Sequence, residues 1–248
     1  MRMIILAAGQ GTRLRPLTND KPKCMVDYNQ KPIIDSILEA ASSCNLSDIV
    51  IVNGYKKEVL EYHLKDKDIN FITNYDYDKT NMVSTLFCAK DFMNDDVIIS
   101  YADIVYKKEI LDKLIASEDD FSVVVDKDWK RLWGARMENP LEDAETLKIK
   151  NGYIYELGKK PENYEDIEGQ YIGLVKISKN IIEKVVRYYE GLDKNGLYDG
   201  KDFANMFMTS LIQMIADDLV NVKPIYINGG WIEIDSIDDL KSYKGYIL

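Results

Sequence analysis

Two cations, Arg13 and Lys23, follow a run at positions 7–11 in which every residue except Gln10 is alanine or glycine, near the start of the chain. Apart from Gln10, no side chain in that run can reach out to a ligand, so the loop offers mainly its backbone. Backbone N–H groups that point in one direction bind anions, and glycine lets the chain approach a ligand closely. The bare backbone and the two cations therefore predict a site for a chain of phosphates.

This loop departs from the two common phosphate-binding motifs. A Walker sequence requires Gly-Lys-Ser/Thr, whereas Gly11 is followed here by Thr12 and Arg13. The dinucleotide fingerprint requires a third small residue where this chain has Leu14, which disfavours a dehydrogenase. A tight turn that only avoids Cβ clashes remains the alternative to a phosphate site.

Two aspartates, Asp103 and Asp235, each follow an apolar run that is typical of a strand. Ligands of open α/β sheets bind at the carboxyl ends of strands, where such carboxylates suit Mg²⁺. Magnesium needs few protein ligands, because phosphate oxygens and water complete its shell. The alternative is that each aspartate caps the next helix or turn.

Composition excludes several classes of function. The chain has 248 residues and a formal net charge of −10, which argues against a nucleic-acid partner. Its three cysteines, Cys24, Cys44 and Cys88, are widely spaced and odd in number, which argues against a disulfide framework or a cysteine-ligated metal site. No apolar run approaches the roughly 20 residues of a membrane helix, and Met1 leads directly into a strand. We therefore expect a cytoplasmic protein without membrane insertion.

The elements that position these residues alternate between strands and helices. Buried strands are predicted at 4–6, 48–53, 70–74, 97–100 and 121–125, and helices at 31–44, 57–64, 81–92 and 107–115. This order predicts an α/β fold with a Rossmann-like, mostly parallel mixed sheet flanked by helices.

The pattern changes after Asp126. A hairpin is predicted around Asn151-Gly152, with strands at 171–177, 222–227 and 231–234 and helices at 179–189, at 202–216 and after Ser236. We expect one domain, 1–248, in which 1–126 form the nucleotide-binding half. Residues 127–248 would form a small β-rich acceptor-binding lobe and C-terminal helices.

The stretch Leu6-Ala7-Ala8-Gly9-x-Gly11-Thr12-Arg13-Leu14-x-Pro16-Leu17, followed by Pro22-Lys23, resembles the signature of nucleotidyltransferases that make nucleoside-diphosphate sugars and related CDP-activated compounds. The resemblance implies that Arg13, Lys23 and Lys160 are catalytic and that Asp103 and Asp235 hold magnesium. The nucleotide-binding residues that it implies are Leu6, Ala7, Ala8, Gly9, Gly11, Thr12, Arg13, Gly54, Asn81, Ser84 and Ala102.

Later segments extend the resemblance towards an acceptor site. Lys160-Pro161 matches a family segment whose lysine meets the acceptor's phosphate, although Lys159 stands where the family has an acidic residue. The acceptor-binding residues that the resemblance implies are Lys160, Glu168, Tyr171 and Gly173. An amine on the acceptor could also meet acidic residues, which are equally consistent with a solvated surface: Glu138, Glu142, Asp143, Glu145 and Glu168. Trp129, Trp133 and Trp231 could form an aromatic cage or pack in the core.

The segments 52–55 and 81–86 most resemble the cytidylyltransferase branch, whose acceptors include phosphocholine, 2-aminoethylphosphonate and phosphoglutamine. Segments 136–146 and 169–174 look closest to the phosphoglutamine enzymes of capsule phosphoramidate biosynthesis. The resemblance thus implies a magnesium-dependent transfer of CMP from CTP to a small phosphorylated or phosphonate acceptor, with release of pyrophosphate. The alternatives are a sugar-1-phosphate nucleotidylyltransferase that uses UTP, dTTP or GTP, and a regulatory protein that binds nucleotide without chemistry. A homodimer is also left open.

Overall fold

The computed structural model describes residues 1–243. Its strands are β1 (Arg2–Ala7), β2 (Asp27–Tyr28), β3 (Lys31–Pro32), β4 (Asp48–Asn53), β5 (Asn70–Thr73), β6 (Val97–Tyr101), β7 (Ile104–Tyr106), β8 (Phe121–Asp126), β9 (Leu147–Lys150), β10 (Tyr153–Leu157), β11 (Gln170–Ile177), β12 (Leu197–Tyr198), β13 (Lys201–Asp202), β14 (Lys223–Ile227) and β15 (Trp231–Glu233). Its α-helices are α1 (Ile33–Ser43), α2 (Lys57–His63), α3 (Met82–Cys88), α4 (Lys108–Ile115), α5 (Trp129–Arg136), α6 (Ile182–Gly191), α7 (Met208–Asp218) and α8 (Ile237–Ser242).

A seven-stranded central sheet has the order β14-β8-β11-β6-β1-β4-β5. Strand β1 pairs in parallel with β4 and β6, β4 with β5, and β14 with β8. Strand β11 runs antiparallel to its neighbours β6 and β8. The predicted Rossmann-like mixed sheet, mostly parallel and flanked by helices, is confirmed.

Strand β1 shows why the central strands are apolar on both faces. Met3 and Ile5 belong to one buried cluster, whereas Ile4 and Leu6 belong to a second cluster. Successive side chains of a strand point to opposite faces, and helices cover both faces of this sheet. The strand can therefore end at the loop with its backbone rigidly held from both sides.

Among residues 1–243, four two-stranded antiparallel ribbons lie outside the central sheet: β9–β10, β7–β15, β2–β3 and β12–β13. Strands β9 and β10 form the hairpin predicted at Asn151-Gly152, where both residues have positive φ. Strand β15 pairs with β7, so that Glu233 lies opposite Ile104. This second ribbon places Trp231–Glu233, which lie just before helix α8, next to the turn that follows β6.

Some predicted elements differ from the structure. The helix predicted at 31–44 begins at Ile33, because Lys31 and Pro32 pair with Asp27 and Tyr28 as a short hairpin. The helix predicted at 202–216 begins at Met208, since Asp202 caps a separate 3-10 turn. Helix α5 and strand β7 were not predicted from the sequence. Between residues 1 and 243, no helix has the length and apolar character that crossing a bilayer requires.

Candidate active site

The loop after β1 is held against Lys23. Gly11 adopts a left-handed conformation (φ +62°), and a Cβ on it would lie 2.9 Å from Lys23 Cβ. Thr18 Oγ1 donates to the Gly11 carbonyl at 2.8 Å, and Tyr55 N donates to the Ala8 carbonyl at 3.2 Å. Only glycine adopts this backbone without cost, so Gly11 allows the lysine to approach the loop.

Lys23 joins the two predicted metal-binding aspartates. Its Nζ donates to Asp103 Oδ2 and to Asp235 Oδ1, each at 2.6 Å. The two aspartates meet because β7 and β15 pair, and because Ile234 N donates to the Asp103 carbonyl at 2.9 Å. The side chains of all three are mostly buried, with 13%, 19% and 14% of Lys23, Asp103 and Asp235 exposed.

A second layer of charges holds Asp235. Arg13, whose side chain is 70% exposed, forms an ion pair with the other oxygen of Asp235. Asp239 accepts hydrogen bonds from Asp235 N at 2.9 Å and Ser236 N at 2.8 Å, as part of the capping box of α8. The buried Arg136 donates to Asp239 at 2.9 Å and to Glu233 at 2.7 Å. These contacts fix the backbone from which Asp235 projects.

The charges at this centre stabilise one another. Burial alone would lower the pKa of Lys23, but the adjacent Asp103 and Asp235 outweigh burial and raise this pKa above its usual range. Burial would likewise raise the pKa of Asp235, yet Lys23 outweighs it and keeps the pKa below its usual range. Both groups are therefore charged at neutral pH.

The two aspartates fit a hard divalent cation. Asp103 Oδ1 is buried and has no hydrogen-bond partner among residues 1–243, so one oxygen is left for a ligand. Asp103 Oδ2 and Asp235 Oδ1 both contact Lys23 Nζ, which places these two oxygens close enough to bind the same ion. Within the described chain no three His, Cys, Asp or Glu side chains gather around such a position. This donor set suits magnesium, which takes its remaining ligands from phosphates and water.

These residues line a first cleft of about 260 Å³. It contains most of the predicted nucleotide-binding residues: Leu6, Ala7, Ala8, Gly9, Gly11, Thr12, Arg13, Asn81 and Ala102. Gly54 lies directly behind the cleft, where it packs against Ala8 and Tyr77. Ser84 is not among the described lining residues, and its hydroxyl donates to the Ala204 carbonyl at 2.8 Å.

The lining residues that the 77–85 segment contributes to the first cleft carry no ionic side chain. They are Tyr77, Thr80, Asn81, Met82 and Thr85, which we call the 77–85 wall. The side-chain oxygen of Asn81 caps α3 by accepting from Met82 N at 2.8 Å, and its amide donates to the Asn205 carbonyl at 3.4 Å. The Asn81 side chain therefore supports the wall and is already engaged within the protein.

A second cleft of about 180 Å³ adjoins the first, since Met82 and Tyr101 line both. The predicted acceptor residues Tyr171 and Gly173 line it. Gly173 lies at a bulge of β11 with φ +88°, and a Cβ on it would lie 2.5 Å from Tyr101 Cδ2. Glycine at this position therefore lets Tyr101 stand between the two clefts.

Acidic and aromatic side chains dominate the rest of the second cleft. Asp143, Glu145, Glu233, Trp133 and Trp231 all line it. Burial raises the pKa of Glu145 to about 7. Burial also raises the pKa of Glu233, with Asp103 adding to the shift and Arg136 opposing it. Trp133 Nε1 donates to Asp143 Oδ2 at 3.1 Å. Two of the three tryptophans considered in the sequence analysis thus combine packing with a place at this cleft.

Two predicted acceptor residues lie outside the described lining of both clefts. Lys160 Nζ donates to the carbonyls of Leu141 and Glu142, both at 2.6 Å. Glu168 accepts from Ile149 N at 2.8 Å and so supports β9. The structure thus brings Tyr171 and Gly173 to the second cleft, but engages Lys160 and Glu168 elsewhere.

Comparison with known proteins gives consistent matches. The family described as MobA-like NTP transferase domain matches residues 3–163. CTP:phosphoglutamine cytidylyltransferase of Campylobacter jejuni subsp. jejuni serotype O:2 is 52% identical over 97% of this chain and 98% of its own length. Choline-phosphate cytidylyltransferase of Streptococcus pneumoniae is 28% identical over 80% of this chain and 92% of its own. The solved structure of CTP:phosphocholine cytidylyltransferase from Streptococcus pneumoniae matches with a TM-score of 0.72 at 23% identity, covering 98% of this chain and 97% of that chain.

Proposed function

Because the chain belongs to the MobA-like NTP transferase family, we propose that it transfers CMP from CTP to a small phosphorylated acceptor and releases pyrophosphate. The observation that carries the proposal is the contact of Lys23 with Asp103 and Asp235 beside the bare loop. The 52% identity to a phosphoglutamine cytidylyltransferase, over nearly the full length of both chains, supports CTP as the donor.

The charged end of the first cleft is suited to the triphosphate. Backbone N–H groups of the loop would bind phosphate oxygens, while Lys23 and Arg13 offset charge on the α-phosphate and on the leaving pyrophosphate. The neutral 77–85 wall is then left for the cytosine ring. When bound, Mg²⁺ held by Asp103 and Asp235 would neutralise further phosphate charge.

The reaction needs no general base. An oxygen of the acceptor phosphate attacks the α-phosphorus of CTP, and the bond from that phosphorus to the β-phosphate oxygen breaks. The acceptor phosphate is already ionised at neutral pH, so no proton has to be removed. The protein's contribution is positioning and electrostatic stabilisation. We propose that Lys160 binds the acceptor phosphate, which requires its Nζ to leave the Leu141 and Glu142 carbonyls.

The second cleft suits an acceptor that carries an ammonium group. Asp143 supplies negative charge, and Glu145, with a pKa of about 7, adds to it when deprotonated, while Glu233 is already paired with Arg136. The faces of Trp133 and Trp231 favour cations. Phosphoglutamine has such an ammonium, and we propose it as the acceptor; phosphocholine and 2-aminoethylphosphonate share the feature. A sugar 1-phosphate has no cation for these acids to bind. The cytoplasmic location and a homodimer remain predictions from the sequence.

The test measures pyrophosphate release by the full chain. CTP, UTP, dTTP and GTP are each combined with phosphoglutamine, phosphocholine, 2-aminoethylphosphonate and glucose 1-phosphate. We expect release with CTP and an amine-bearing acceptor, dependence on added Mg²⁺, and loss with EDTA. Asp103→Asn should abolish release, whereas Asp91→Asn at an exposed site should not. Release with UTP and a sugar phosphate would overturn the proposal, as would nucleotide binding without any release.

A further inference from the structure

Asn74 is a buried hydrogen-bond hub behind the 77–85 wall. Its side chain is nearly inaccessible, with 4% of the residue exposed. Its amide nitrogen donates to Thr80 Oγ1 at 2.9 Å and to Thr85 Oγ1 at 3.0 Å. Both threonines line the first cleft. Asn74 thus connects two separate points of the wall without lining the cleft itself.

The same residue connects the wall to the central sheet. Asn74 N donates to the Asn53 carbonyl at the end of β4 at 2.8 Å, and Asn74 Oδ1 accepts from Asp76 N at 3.0 Å. These bonds use the two donors of the side-chain amide, one lone pair of its oxygen and the backbone N–H. The wall is therefore anchored to the strand that precedes Gly54.

The direction of these bonds requires an amide. Thr80 Oγ1 donates its hydrogen to the Asp76 carbonyl at 2.9 Å, and Thr85 Oγ1 donates to the Asn81 carbonyl at 3.2 Å. Each hydroxyl has one hydrogen, so towards Asn74 each can only accept. A carboxylate at position 74 has the same shape but would place its oxygen lone pairs against the lone pairs of the two threonine hydroxyls. It would force both threonines to give up their present bonds.

We infer that Asn74 is a positioning residue for nucleobase selection, which holds Thr80 and Thr85 where the ring of the nucleotide contacts the 77–85 wall. The inference rests on the proposed function, in which the base occupies that wall and the phosphates occupy the charged end. Discrimination between CTP and UTP depends on hydrogen-bonding groups at the base edge, and a displaced wall aligns those groups poorly.

The test compares Asn74→Asp and Thr85→Val with Ser122→Ala. Ser122 is a buried residue of β8 whose hydroxyl bonds Ser117 at 2.7 Å, so its variant also loses a buried hydrogen bond. Binding of CTP and UTP is measured by calorimetry, together with kcat, both KM values and the Tm of each variant.

We expect Asn74→Asp to weaken CTP binding by about 10-fold, the equivalent of one hydrogen bond, and to reduce the preference for CTP over UTP. The acceptor KM should stay unchanged. Thr85→Val should act in the same direction, and the double variant should be less impaired than the two single effects combined. Ser122→Ala should lower Tm without changing the CTP KM.

A folded Asn74→Asp with parental CTP affinity and selectivity would overturn the inference and leave the proposed function intact. If Asn74→Asp does not fold, Thr85→Val decides, and parental selectivity in that variant overturns the inference. A parent protein that does not prefer CTP would overturn both the inference and the proposed function.

Discussion

Lys23→Met removes the ammonium that joins Asp103 and Asp235 while keeping a side chain of similar length. The lysine is 13% exposed and forms two ion pairs at 2.6 Å with carboxylates that are 19% and 14% exposed. Breaking a buried pair by removing one partner costs about 3–5 kcal/mol, because the other charge is left without compensation. Arg13 still contacts Asp235, so we expect a loss of about 3 kcal/mol in the free energy of unfolding at pH 7.

The loss should depend on pH in a defined direction. The pKa of Asp235 is lowered on folding, so its contribution to stability is present above its unfolded pKa and is lost as pH falls. The pKa of Lys23 is raised on folding, so its contribution is present below its unfolded pKa and is lost as pH rises. The difference between parent and variant should therefore be largest between about pH 5 and 9 and should shrink below about pH 4.

Turnover should fall more than stability alone explains. Removal of one preorganised donor to a transition state lowers kcat by about 10²–10³-fold, and we expect this for Lys23→Met when the variant is fully folded. Urea unfolding at several pH values and pyrophosphate release under saturating substrates measure the two effects, with the exposed Lys113→Met on α4 as the control. A folded Lys23→Met with turnover within about threefold of the parent, well short of the loss expected for a transition-state donor, would refute the role assigned to Lys23.

Three further predictions concern the second cleft and the support of Asp235. Burial raises the pKa of Glu145 from 4.5 to about 7, so parent stability should fall as pH rises between these values. Glu145→Gln should flatten this dependence of unfolding free energy on pH, with a gain of at most about 3 kcal/mol in unfolding free energy at pH 8, measured by urea unfolding. The same variant should weaken acceptor binding. An unchanged pH dependence would contradict the burial argument. Lys160→Met should raise the acceptor KM by about 10-fold or more with the CTP KM unchanged, whereas parental values would restrict Lys160 to its carbonyl contacts at Leu141 and Glu142. Asp239→Ala should cost about 2–3 kcal/mol in unfolding free energy and also lower kcat, since it loosens Asp235; full kcat in the folded variant would be evidence against that coupling.

The local features of the first cleft could be predicted from the sequence. Small residues after an apolar strand, with Arg13 and Lys23 at fixed offsets, define the loop and its charge without tertiary information, and the loop lines the cleft as expected. The family identification is confirmed by the match over residues 3–163. Asp103 and Asp235 each follow a strand, and the structure brings them to one lysine.

Contacts between distant segments could not be predicted in this way. Strand β7 spans only Ile104–Tyr106, too short for a periodic signal, yet its pairing with β15 brings the two aspartates together. Asn74 carries no local motif; its role depends on a fold that places two threonine hydroxyls on either side of its amide. Burial of Glu145 likewise depends on tertiary packing around it. Lys160 was expected at the acceptor from a matching family segment and Glu168 from its charge, but neither signal specifies where a long side chain points.

The ribbon formed by β7 and β15 has a consequence for truncated chains. The last strand of the central sheet ends at Ile227, and the strand that precedes Asp235 begins four residues later, at Trp231. A chain that stops at Ile227 therefore contains every strand of the central sheet and yet lacks one of the two acids. Such a truncated polypeptide would lack Asp235 together with the buried Trp231 and Ile232, so chemical competence depends on the C-terminal segment being present and docked.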